Sequence, residues 1–119
     1  MAKPTLVLGA TPNPDRYAYK AAIMLSSYGH PIVLYGIKHG EIAGIPIHLA
    51  APQVEIDTVT LYVGPQNQPP YYDYVVGLHP KRVIFNPGTE NTYFENLLKE
   101  NNIEPVIACT LVMLTTGQY

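Results

Sequence analysis

The chain has 119 residues, 47% of them hydrophobic and 13% charged, with a formal net charge of −2. That length suits one domain with a sizeable core, and the apolar content excludes a disordered chain. The seven Lys and Arg form no basic stripe, which argues against nucleic acid, and no apolar run approaches the roughly 18 residues that span a bilayer.

Thr5 to Leu8 is a short apolar run closed by Gly9, as expected of a strand buried on both faces. A Pro-rich loop follows. Ala18 to Tyr28 then reads as a helix, with Ala21, Ala22, Met24 and Leu25 at helical spacing and Gly29 as its stop signal. Ile32 to Tyr35 is a second buried strand ending at Gly36. Ile37 to Glu55 reads mostly as loop, with Ile45 to His48 open to a short extra strand. Thr58 to Val63 is a third strand, stopped by Gly64-Pro65. Pro69-Pro70 opens a helix that Tyr71 to Leu78 continues, since proline is tolerated in a first turn. Arg82 to Phe85 is the next strand, closed by Asn86-Pro87-Gly88, and Thr89 to Asn101 the next helix. Val106 to Ala108 is the last strand, and an apolar tail runs from Leu111 to Tyr119.

Apolar strands alternating with helices predict an α/β fold: a Rossmann-like three-layer α/β/α domain over residues 1–119, with a doubly wound parallel five-stranded sheet. The single cysteine, Cys109, rules out an internal disulfide and fits a reducing compartment. The lead-in Met1-Ala2-Lys3-Pro4 lacks the apolar stretch and cleavage site of a signal peptide. A soluble, cytoplasmic protein without a membrane partner is expected.

In an open parallel sheet, ligands settle outside the carboxyl ends of the strands, where the strand order reverses. Gly9 to Arg16, Gly36 to Gly44, Gly64-Pro65 and Asn86 to Glu90 should lie there, and all contain glycine. Glycine lets a ligand approach the backbone, and free amides at the next helix N-terminus favour an anion. Strand-to-helix turns carry Gly or Pro in most proteins, so each loop alone is weak. The first stands out by its two prolines and its polar set of Thr11, Asn13, Arg16, Tyr19 and Lys20. It has one glycine where nicotinamide-binding loops read G-x-G-x-x-G, and the second strand ends in Tyr35-Gly36 rather than an acid. Ordinary NAD-dependent hydride transfer is therefore disfavoured.

The segment from Leu8 to Lys20, LGATPNPDRYAYK, resembles the small stand-alone CoA-binding proteins, relatives of the CoA-binding domain of succinyl-CoA synthetase. That family reads G-A-S, then Pro, Asp or Gly, Arg, a small residue, an aromatic and a basic residue. Thr11 stands at the family's serine. Gly29, Lys38, Gly44, Asp57, Gly88 and Cys109 match singly, so the resemblance covers roughly Thr5 to Cys109. It implies coenzyme A, free or acylated, as the ligand, held without a metal. Gly9, Ala10, Thr11 and Arg16 would cradle the pyrophosphate, with Asn13 and Tyr19 in the same loop and helix start. Gly36 and Lys38 would lie by the adenosine, Gly64 and Pro65 on its other side, and the pantetheine arm would run toward Pro87, Gly88 and Cys109. The chain departs from the family at Gly36-Ile37, at Val63 in place of Arg, and at Ile107-Ala108 in place of Asp-Arg. Fewer positive charges leave room for a different nucleotide.

Bond-breaking chemistry finds no support. The four histidines are scattered, no Ser-His-Asp set or facing carboxylates are visible, and no Lys or Arg lies close in sequence to activate Cys109. Buried cysteine is by default a small hydrophobe; the alternative is that Cys109 faces the ligand's thiol and can form a mixed disulfide with CoA. Tyr71 and Tyr74 share a helix face suited to core or dimer packing. The uncharged tail should cover the sheet edge or a dimer interface, placing Tyr119 in a defined site. A homodimer through the tail and this helix stays open. The expected function is non-catalytic binding of CoA or an acyl-CoA. The alternatives are an interaction domain with a vestigial nucleotide site and a partner-dependent subunit of an acyl-CoA ligase-like enzyme.

Overall fold

The computed structural model of the chain describes residues 2–119; Met1, part of the lead-in read above, lies outside them. Seven strands form one sheet: β1 (Thr5–Leu8), β2 (Ile32–Tyr35), β3 (Glu41–Ile42), β4 (Ile45–His48), β5 (Thr58–Leu61), β6 (Arg82–Phe85) and β7 (Glu104–Ile107). Their order is β3-β4-β2-β1-β5-β6-β7. Every pairing is parallel except the β3–β4 hairpin, which adds two strands to the five expected. That segment carries Gly44 and Pro46, and its strands are too short to show an apolar period of their own. The helices are α1 (Tyr17–Ser27), α2 (Tyr72–Leu78), α3 (Thr92–Glu100) and α4 (Thr110–Thr115). Two 3₁₀ turns, Pro65–Asn67 and Pro69–Tyr71, precede α2.

Side-chain alternation along the strands builds a core on each face of the sheet. Leu6, Leu8, Val59, Leu61, Val83 and Phe85 point to one face and meet Val75 of α2 and Phe94 and Leu98 of α3. Val7, Leu34, Ile42 and Ile47 point to the other and meet Ala18, Ala22 and Leu25 of α1 and Leu114 of α4. Burying a Leu or Phe contributes about 1.5–3 kcal/mol, so these two clusters dominate stability. Asn91 caps α3 by accepting from the Phe94 amide at 3.2 Å, while the Glu95 carboxylate accepts from the Asn91 amide at 3.1 Å.

The apolar tail forms α4 and then turns back to the amino-terminal ends of the strands. There the Tyr119 phenol hydrogen-bonds Thr5, and Arg82 stacks on the ring 4.5 Å from its centroid. The Arg82 guanidinium also donates to the Tyr119 main-chain oxygen at 2.8 Å. Tyr71 and Tyr74 both pack edge-on against Tyr35 of β2, which makes them core contacts. Among the described residues, no helix is long and apolar enough to cross a membrane.

Candidate functional site

The chain runs from β1 outward through β2 to the β3–β4 hairpin, then returns to β5 on the other side of β1. This reversal splays the loops after β1, β2 and β5 apart at the carboxyl edge of the sheet, the place where open α/β sheets bind ligands. A cavity of about 790 Å³ occupies it, within the size range of small-molecule sites.

Two close backbone approaches shape its floor. Gly9 has φ +96°, and a Cβ there would sit 3.0 Å from the Tyr62 main chain. At Gly36 a Cβ would lie 2.1 Å from the Ala10 carbonyl oxygen, so the loops after β1 and β2 can touch only through glycine. The Gly9 and Ala10 amides both donate to the Tyr35 carbonyl, at 2.9 and 3.1 Å.

The first loop then folds on itself. The Asn13 amide donates to Thr11 Oγ1 at 3.3 Å, and Asn13 Oδ1 accepts the Asp15 amide at 3.0 Å. Arg16 takes the N-cap position of α1 in an extended conformation and supplies no side-chain cap. The first turn of α1 contains no acid, and Arg16, Tyr17 and Ala18 line the cavity. An 11-residue helix thus presents uncapped amides and the positive end of its dipole to the cavity. Arg16 and Lys38 are the charged side chains in the lining, and among the described residues no Asp or Glu joins them. This arrangement attracts an anion, and the planar Arg16 fork suits phosphate oxygens.

The structure brings together Gly9, Ala10, Thr11, Asn13, Arg16, Gly36, Lys38 and Gly64 around this cavity. It sets others apart. Tyr19 lies in a shallow groove on the outer side of α1, with Lys20, Ile23 and Tyr28. Pro65 opens a 3₁₀ turn, Pro87 and Gly88 are exposed beyond β6, and half-buried Cys109 precedes α4. Sequence reasoning missed Tyr17, Ile37, Tyr62, Val63, Asn67, Pro70 and Tyr71 as lining. Tyr62 and Val63 carry the one available signal, since they directly follow β5 toward Gly64. Burial pushes the Tyr62 phenol up to about 12, although Thr110 and Thr60 pull the other way.

Two buried amides close the rest of the carboxyl edge. Asn86 donates to Thr60 Oγ1 at 2.8 Å and to the Leu61 carbonyl at 3.0 Å, and accepts the Thr110 amide at 2.9 Å. Gln68 donates to the Val63 and Thr89 carbonyls at 2.9 and 2.7 Å and accepts from Asn91 at 2.9 Å. Among the described residues, no three His, Cys, Asp or Glu side chains are grouped to hold a metal ion.

No curated protein matches the chain. Among solved structures, one described as an uncharacterized protein shares 56% identity, with TM-score 0.98, over 100% of this chain and 99% of that one. Cell-free ID.343 from Thermus thermophilus is 23% identical with TM-score 0.86, over 99% of this chain and 91% of that one. A hypothetical protein from Pyrococcus horikoshii OT3 is 24% identical with TM-score 0.84, over 96% and 82%. At those two identities the likeness speaks for the fold alone. The family described as CoA binding domain matches residues 3–115, which include every loop around the cavity. The chain belongs to the CoA binding domain family.

Proposed function

We propose that this chain is a non-catalytic binder of CoA or an acyl-CoA. Membership of the family supports CoA as the ligand in general terms. The observation that carries the finer reading is the uncapped start of α1, opening beside Arg16 into an acid-free cavity. The pyrophosphate sits there, on the free amides of Thr11, Tyr17 and Ala18 and the Arg16 guanidinium. The adenosine lies between Gly36–Lys38 and Val63–Gly64. Among the described residues lining the cavity there is no acid–base pair or activated nucleophile, and binding and release without bond cleavage is the activity that this lining supports. The protein works in the cytoplasm.

Thermal unfolding against rising CoA concentration tests the reading, because a ligand held by the folded state stabilises it in proportion to RT ln(1 + [L]/Kd). A melting temperature that climbs steadily with CoA is expected. An unresponsive one would point to an interaction domain with a vestigial site.

A further inference from the structure

The carboxyl edge of the sheet is open over only half its width. The cavity spans the ends of β2, β1 and β5, and Tyr62, Val63 and Gly64 with Asn67, Pro70 and Tyr71 of the turns before α2 form its far wall. Beyond that wall the fold is sealed. Gln68 is fully buried and ties the loop after β5 to the loop after β6 through Val63 and Thr89. Asn86, also buried, ties β5 and β6 to the start of α4 through Thr60 and Thr110. All their side-chain polar atoms are satisfied inside the protein, so neither amide offers a group to a ligand. Pro87 and Gly88 lie outside this seal and are exposed.

A cavity with its cations at Arg16 and Lys38, and with no lining residue from the loops after β6 and β7 among the described residues, matches the nucleotide end of a CoA molecule. We infer that the site grips the adenosine diphosphate part of its ligand and leaves the thiol-bearing arm, free or acylated, outside the protein. This inference rests on the proposed CoA binding. It makes the chain a presenter: the acyl group stays open to whatever enzyme transfers it, and its identity matters little to affinity.

The test is alkylation of bound CoA. Calorimetry with CoA and ADP first fixes a protein excess that leaves almost no CoA free. N-ethylmaleimide is then added, and the CoA thiolate adds across the ring double bond, which takes up a proton at the neighbouring carbon; nothing leaves. Mass spectrometry follows the CoA adduct separately from any Cys109 adduct. The expected rate is within about threefold of that of free CoA, because a pocket that enclosed the arm would bury most of its surface. Slowing by more than about threefold, with binding intact, overturns the inference and spares CoA binding. No binding of CoA or ADP overturns both.

Discussion

The Asn86 side chain accepts the main-chain amide of Thr110 at 2.9 Å, so the end of β6 fixes the start of α4. Asn86 Nδ2 in turn donates to Thr60 Oγ1 and to the Leu61 carbonyl, and all of these groups are buried. Asn86→Ala leaves a buried donor and two buried acceptors short of a partner. Each uncompensated group costs about 1–3 kcal/mol, so a loss of about 3 kcal/mol is expected in urea denaturation. A loss below about 1 kcal/mol would show that the network is not a structural tie.

Gly36→Ala tests the contact between the first two loops. Its Cβ would collide with the Ala10 carbonyl oxygen at 2.1 Å, so one loop must move. Such overpacking costs about 1–3 kcal/mol and displaces the Ala10–Thr11 backbone where the phosphate is expected. Weaker CoA binding with a lower melting temperature should appear together. Unchanged calorimetric affinity would remove Gly36 from the site.

Tyr62 sets a limit on alkaline stability. Its phenol is raised from 10.0 to about 12 by burial, so the folded state holds its proton more tightly than the unfolded chain does. That contribution is fully present below pH 10.0 and is lost as pH rises through about 12. Tyr74, also raised to about 12 by burial, adds to it over the same window. Urea midpoints should fall across this range, and less steeply in Tyr62→Phe. An equal slope in that variant would show that the Tyr62 proton is not linked to folding.

At the opposite end of the sheet, Tyr119 joins Thr5, Arg82 and the His30 ring, whose centroid lies 4.8 Å away. Tyr119→Ala removes the phenol bond to Thr5 and the ring contacts with Arg82 and His30, but keeps the bond from Arg82 to the main-chain oxygen. Since the ring is half-buried, the cost falls below the about 3–5 kcal/mol of truncating a fully buried aromatic. Thermal denaturation should register this as a drop in melting temperature, while CoA affinity changes little. A large loss of affinity at an unchanged melting temperature would contradict the separation of the two ends.

Much of the fold was legible because β1, β5 and β6 are almost wholly buried and read as apolar or β-branched runs. Arg82 to Phe85 and Ile32 to Tyr35 stand where the pattern put them. The hairpin was not legible as two strands, since β3 has two residues and Pro46 sits in β4. Nor was α4, whose Thr110 to Thr115 run is apolar on every side and carries no helix signature. In the site, glycine and charge marked the loops after β1 and β2. Pro70 and Tyr71 were hidden because they reach the cavity through tertiary packing, which leaves no local pattern.

Whether Arg16 and the start of α1 hold an adenine nucleotide is decided by calorimetric titration of ADP, dephospho-CoA and CoA into the wild type and Arg16→Ala. Measurable heat is expected with all three ligands. A loss of about 1.5–3 kcal/mol is expected for each in Arg16→Ala, the worth of a hydrogen bond to a charged group. Absence of heat with every adenine-containing ligand would contradict CoA binding at this site.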